Sequence, residues 1–351
     1  MRNEYYMHRS QLKGYLFELV ILELLRKNGF HAIDVSREDI HKVRENKNGF
    51  IEFRGKGTWH QIDCPCDYEH TIPFSYPIRL LGEAKYFKLP LDKKYIREFI
   101  GILKDIEENY SVPDGMRYCD IPPRNTEIGV YFSANGFQEE AEKLAYSHGI
   151  KTISYKNNIL ILRIKRLIDV LEENYLSVRI VKNGEWNRFR NAFQIAIQNG
   201  YDNYLNEFTP YIADGFLQVT HEMYESIYNI CTSFFATTAS GVFIHFISES
   251  PFPEELFTYD DIGFCRVFYN YDNFRNRYFW LEMSEDEQRR KFYFTPPESL
   301  NEAALFSKQI VLNEKERIFR FLNVNIKLNG IYRNLLLRID NDWLNAVRNN
   351  D

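Results

Sequence analysis

The rhythm of apolar and polar positions changes several times along the chain, and each change predicts an element. Residues 10–28, S-Q-L-K-G-Y-L-F-E-L-V-I-L-E-L-L-R-K-N, are apolar at 15, 16, 17, 19, 20, 21, 22, 24 and 25. That is nearly all round a helix, so a well-buried helix is expected, stopped by Asn28-Gly29. F-H-A-I-D-V (30–35) reads as a strand, followed by a polar stretch and a second strand, F-I-E-F-R (50–54). G-K-G turns that strand into T-W-H-Q-I-D-C. After a turn-rich segment (68–77), I-R-L-L-G-E-A-K (78–85) is a further strand. Tyr95, Ile96, Phe99, Ile100, Leu103 and Ile106 then recur at helical spacing behind Asp92, a suitable N-cap. T-E-I-G-V-Y-F-S-A (126–134) predicts a buried strand, N-G-F a turn and Gln138–His148 a helix with Ala141, Leu144 and Ala145 inward. Ile150–Tyr155 is another strand, and the apolar run I-L-I-L-R-I after it is left unassigned. Strands alternating with helices imply a mixed sheet with helices on both faces.

From about Lys165 the texture differs. R-L-I-D-V-L-E-E-N-Y predicts one helix, and residues 184–200 a second, with Trp186, Phe189, Phe193 and Ile197 on one face and Arg188, Arg190 and Asn191 among them. Such interleaving suits bases or phosphates, but an ordinary core helix with solvated arginines is the simpler reading. Short aromatic strands at 241–248, 264–271, 277–283 and 291–294 suggest an antiparallel sheet, and 317–340 adds further strand or helix signals. With no G-x-x-x-x-G-K-[ST] run, this half does not read as an ATPase. The expected division is therefore 1–164 and 165–351.

Candidate chemistry gathers between Gln61 and Lys85. Asp63 closes one short apolar run, and Glu83 and Lys85 close the next. In a strand Glu83 and Lys85 point the same way and Ala84 the opposite way, and pairing of the two runs brings Asp63 toward Glu83. Carboxylate oxygens are the ligands Mg²⁺ prefers, and a lysine beside a metal-bound water helps orient it. His60, Cys64, Cys66 and His70 are a rival set for Zn²⁺, but the C-P-C spacing is not that of a zinc knuckle, and buried thiols are the simpler reading.

The order Asp63 … Glu83-Ala84-Lys85, preceded by G-Y-L-F-E-L-V and followed by V-Y-F-S-A-N-G-F-Q-E-E-A-E-K-L-A, resembles the PD-(D/E)xK nuclease superfamily, and within it the Mrr-like restriction endonuclease domain, over roughly residues 10–160. The acid follows W-H-Q-I where the family often has a G-G-x turn. The resemblance implies an α/β fold, an αβα sandwich with a mixed central sheet (restriction-endonuclease-like), joined here to a C-terminal α+β domain. It also implies a Mg²⁺- or Mn²⁺-dependent endonuclease acting on DNA, in restriction or anti-phage defence. Asp63 and Glu83 would bind the metal, with the Ala84 carbonyl and Glu18 as further ligands, and Lys85 would position the attacking water. Lys88, Lys93, Lys94 and Arg97 are the residues expected to meet phosphates. The C-terminal half would choose the target, pair two copies of the chain, or bind a partner protein. The alternative is a nuclease-fold module kept as a non-catalytic binding or scaffold subunit.

Composition changes this picture in two ways. The chain of 351 residues carries a formal net charge of −5, which does not advertise nucleic-acid binding, so a local basic surface is required. It has 24 Tyr and 28 Phe, enough for sizeable cores and against disorder. Five cysteines, an odd number and mostly scattered, argue against a disulfide framework. No apolar run is long enough to cross a bilayer and the first ten residues lack a signal peptide's apolar core, so a soluble, cytoplasmic protein without membrane contact is expected.

Overall fold

The computed structural model describes residues 9–47, 49–71, 74–110, 115, 117, 124–175, 194–195, 214–273 and 276–349. The helix expected over 184–200, all but 194–195 of it, lies outside the described residues, as does most of 111–123. The chain divides into two compact units, residues 1–154 with 165–227 and residues 155–164 with 228–351.

The first unit is built on a five-stranded sheet in the order β1-β5-β6-β7-β8. Its strands are β1 (Phe30–Ala32), β5 (Cys64–Tyr68), β6 (Ile78–Lys85), β7 (Thr126–Ser133) and β8 (Lys151–Ser154). β1, β5 and β6 pair antiparallel, and β6, β7 and β8 pair parallel. Helix α1 (Arg9–Lys27) packs against β1, β5 and β6. Leu16, Phe17, Leu19, Val20, Ile21, Leu24 and Leu25 are all buried, which is why its sequence is apolar nearly all round. Glu23, buried in the same helix, is neutralised by Arg26 through two contacts of 2.7 Å.

Helix α2 (Lys93–Glu107) is capped by Asp92, whose side chain accepts from the Lys94 N–H at 2.9 Å. It buries Ile96, Phe99, Leu103 and Ile106, and packs against α3 (Glu139–Ser147). A second, three-stranded antiparallel sheet, β2 (Val43–Glu45), β3 (Ile51–Arg54) and β4 (Trp59–Gln61), leads into Asp63. Helix α4 (Ile159–Tyr175) starts inside the unassigned I-L-I-L-R-I run. Asn158 caps it, its Oδ1 accepting from the Leu160 and Ile161 N–H groups at 3.1 and 3.3 Å.

The second unit corrects the expected fold. Residues 232–339 form a closed barrel of seven strands in the order β10-β13-β12-β11-β15-β14-β9. These are β9 (Thr232–Thr238), β10 (Phe243–Ser248), β11 (Ile262–Tyr271), β12 (Arg277–Met283), β13 (Phe292–Phe294), β14 (Leu322–Leu328) and β15 (Ile331–Ile339). A restriction-endonuclease-like αβα sandwich with a C-terminal α+β domain is therefore not the architecture of this chain. Nor is the second sheet purely antiparallel, because β11 runs parallel to β15 from Ile262↔Leu336 to Cys265↔Ile339. The alternation of apolar residues marks the strands, but closure depends on β9 pairing with both β10 and β14. No local pattern encodes that pairing.

The barrel interior is aromatic, with Phe234, Phe246, Phe279, Phe292 and Phe294 buried beside Val267, Leu281, Leu322 and Leu337. Helices Glu298–Ala303 and Lys308–Ile318 add Leu300, Val311, Leu312 and Ile318 to the same core. Asn329 and Gly330, at φ 49° and 79°, turn β14 into β15 as a two-residue hairpin loop.

Candidate active site

Asp63 lies between β4 and β5, and the register Cys64↔Gly82 carries it alongside Glu83 at the carboxyl end of β6. Close approach at that register needs Gly82, since a Cβ there would fall 2.8 Å from the Cys64 carbonyl oxygen. The Lys85 ammonium donates to Asp63 Oδ2 at 2.5 Å and to Glu83 Oε2 at 2.8 Å. The Ala84 N–H donates to Asp63 Oδ2 at 3.2 Å. The side chains of Asp63 and Glu83 are 9% and 11% exposed and that of Lys85 28%, so the lysine is the most accessible of the three.

Burial pushes the Glu83 carboxyl well above the usual carboxylate range, and the Asp63 charge pushes it the same way. Burial alone would lower the Lys85 ammonium, but Glu83 and Asp63 outweigh it and hold the group charged. One ammonium therefore lies between an Asp63 oxygen and a Glu83 carboxyl that burial biases toward its protonated form.

Other expected residues are distributed differently. Ala84 is buried within the β6–β7 ladder opposite Phe132. Glu18 is on α1, where the Cys64 thiol donates to its backbone carbonyl at 3.8 Å. Burial raises that thiol, and the charges of Glu18, Asp63 and Glu83 all act on it, so Glu18 lies in electrostatic reach of the residue after Asp63. Lys88 and Arg97 are exposed. Lys93 is engaged by Glu140 across α2 and α3, and Lys94 lies over the Tyr95 ring at 4.6 Å. His60 bonds through Nε2 to Asp105 Oδ2 at 2.7 Å, and the His70 ring meets Tyr68 edge-on at 6.5 Å. Among the described residues no group of three or more His, Cys, Asp or Glu side chains is arranged to hold a metal ion, and the four cysteines among them are free.

The sequence reading missed Tyr131. It lies opposite Glu83 in the parallel β6–β7 register, with its ring edge-on to Phe99 at 5.5 Å and to Phe137 at 6.0 Å. Burial raises its phenol, and the charges of Lys85, Glu83, Asp63 and Glu98 act on it. Alternation in V-Y-F-S puts Tyr131 and Ser133 on one face, but the register with β6 is needed to link them to the acids. A second missed set lies at the same end of the sheet. The Tyr86 hydroxyl contacts the Lys165 carbonyl at 3.0 Å and Asp169 Oδ1 at 3.1 Å, and Lys13 pairs with Asp169 at 2.8 Å. Lys165 donates to the Ala134 carbonyl and to Asn135 Oδ1, both at 2.6 Å, and burial lowers it to about 8.

No family model and no curated protein matches the sequence. A crystal structure titled as a protein of unknown function, AF1548, aligns with 61% of this chain and 97% of its own at 17% identity and a TM-score of 0.33. At that score the likeness carries no argument. No helix among the described residues is long and apolar enough to cross a membrane.

Proposed function

We propose that the protein is a divalent-metal-dependent nuclease that hydrolyses phosphodiester bonds of DNA, as its likeness to the PD-(D/E)xK superfamily implies. One observation carries the reading: Asp63 and Glu83 converge on the Lys85 ammonium at 2.5 and 2.8 Å, with the lysine the most accessible of the three. The donor set fits a hard cation. It offers the carboxyl oxygens of Asp63 and Glu83, the ligand type Mg²⁺ prefers, and a dication bound there would displace the proton that burial favours on Glu83. Asp63 and Glu83 would hold the ion (Mg²⁺ or Mn²⁺), with the Ala84 carbonyl and Glu18 as further ligands. When bound, such an ion neutralises phosphate charge and acidifies water. Lys85, kept protonated by both acids, donates to a non-bridging phosphate oxygen and orients the nucleophile. The buried Tyr131 phenol stays a neutral donor beside them.

The fact that the Lys85 ammonium already bridges both carboxylates supports a second reading, an ion triplet that only ties β5 to β6 in a non-catalytic binding or scaffold protein. Supercoiled plasmid with Mg²⁺ or Mn²⁺ separates the two. The wild type should nick it, while Asp63→Ala and Lys85→Ala should lose at least about a hundredfold in rate. Equal cleavage by all three would reject this site. If none cleaves, calorimetry with Mn²⁺ decides, because the catalytic reading requires binding that Asp63→Ala abolishes.

A further inference from the structure

The nuclease reading requires a basic surface that the acidic chain as a whole lacks, and of the residues expected for it on α2 Lys93 is engaged by Glu140 while Lys94 and Arg97 are exposed. The β2–β3–β4 ribbon supplies one. Between residues 42 and 61 the chain has five basic side chains, Lys42, Arg44, Lys47, Arg54 and Lys56, against two acids, Glu45 and Glu52, in a chain whose net charge is −5.

Strand register sorts the ribbon into two faces. Val43, Phe53 and His60 are in register, and Val43 and Phe53 enter the apolar core while His60 reaches Asp105. The opposite face carries Arg44, Glu52 and Gln61 in one row and Arg54 and Trp59 in the next. There Trp59 is a shared platform, with the guanidinium carbon of Arg44 4.0 Å from its ring centroid and that of Arg54 at 5.7 Å. Arg44 directs Nε and Nη2 to Glu52 at 2.8 and 2.7 Å, and Arg54 has no carboxylate partner among the described residues.

We infer that this face is the DNA-contacting surface of the nuclease, and that Arg44 and Arg54 grip the phosphates of a DNA duplex. A guanidinium held over an indole has already lost rotamer freedom, so less entropy is lost when it meets a phosphate, through the Nη1 that Glu52 leaves to Arg44 and through the whole fork of Arg54. The ribbon is anchored, because Asp105 on α2 accepts from the Gly57 N–H at 2.9 Å and holds His60. It is also continuous with the acidic cluster, since Gln61 precedes Asp63 by about 7 Å of extended chain. A strand gripped here runs beside Asp63. Trp59 has an arginine at its ring already, which favours backbone grip over base stacking and hence duplex over single strand.

The inference rests on the nuclease reading for its substrate, but binding and cleavage are measured separately. The probe is a fluorescein-labelled DNA duplex, titrated by anisotropy in EDTA over a series of salt concentrations. Arg44→Gln/Arg54→Gln should weaken binding about tenfold and make the slope of log K against log salt shallower by about two, one for each lost phosphate contact. Lys93→Gln/Lys94→Gln should bind within about twofold of wild type. Glu52 keeps Asn46 as a partner at 3.0 Å when Arg44 is replaced, and Arg54→Gln alone, expected to cost one unit of slope, covers a folding defect in the double variant. An unchanged slope, no duplex binding by the wild type, or tighter binding of single-stranded DNA or heparin would each overturn the proposal. Duplex binding with the expected losses but no cleavage under any metal would instead sink the hydrolytic reading and leave this surface standing.

Discussion

Glu83 is a carboxylate with little access to water, facing a second carboxylate across one ammonium. Its raised pKa has a stability consequence with a definite sign. In the unfolded chain the group ionises near 4.3, whereas in the fold it holds its proton up to about 8. Stability is therefore greatest below about pH 4.3 as far as this group is concerned, and is lost as pH rises toward about 8. Glu83→Gln removes that loss, so in EDTA the variant should melt above wild type at pH 8 and close to it at pH 5, while binding no Mn²⁺. Thermal melts at the two pH values check this, and a variant less stable than wild type at pH 8 would refute it. Asp63, Glu83 and Lys85 were legible in the sequence because two strand-end motifs were enough to bring them together. Tyr131 was not, because its place opposite Glu83 depends on a parallel pairing with a strand some forty residues later. A metal-ligand role for Glu18 was expected from its helix context alone, and the structure places its backbone carbonyl 3.8 Å from the Cys64 thiol.

At the scale of elements, the cluster depends on how closely β5 and β6 approach. A methyl group at Gly82 would meet the Cys64 carbonyl oxygen at 2.8 Å, and backbone cannot swing aside as a side-chain tip can. Gly82→Ala should destabilise the protein by about 1–3 kcal/mol, as overpacking does. It should also lower plasmid nicking more than the stability loss explains, because Asp63 and Glu83 are pushed apart. Urea unfolding and cleavage rates on the same preparation test both, and wild-type nicking would show that the spacing has slack. Helix α4 illustrates what an apolar run hides. I-L-I-L-R-I suits a buried strand or a buried helix equally by period. The cue lies in Asn158, whose side chain satisfies the first helical N–H groups. In the same way N-G at 329–330 marks the β14–β15 hairpin, a local signal that the coarse reading passed over.

At the scale of the molecule, the barrel has its own titration. His245 on β10 is buried, with Nδ1 2.8 Å from the Tyr155 hydroxyl and Nε2 2.8 Å from Ser233 Oγ, and Phe235 stacked on its ring at 4.1 Å. Burial lowers it to about 3, against about 6.5 in an unfolded chain. Below about pH 6.5 the unfolded chain takes up a proton that the folded one refuses, so stability falls steadily from there toward pH 3. His245→Gln should flatten that slope in urea midpoints followed by tryptophan fluorescence, and an unchanged slope would remove His245 as its cause. The strands of this unit were readable as alternating aromatic segments, and a sheet was expected; a closed barrel was not. By itself the sequence determined the first three helices, many of the strands and the meeting of two acids and a lysine. Those follow from local periodicity and neighbouring registers. The tertiary structure alone decided the barrel's closure, the parallel β11–β15 pair, Tyr131 beside the acids and the arginine-bearing face of β2–β4. Each depends on contacts between residues far apart in the chain, and no short-range pattern records which strand will be whose neighbour.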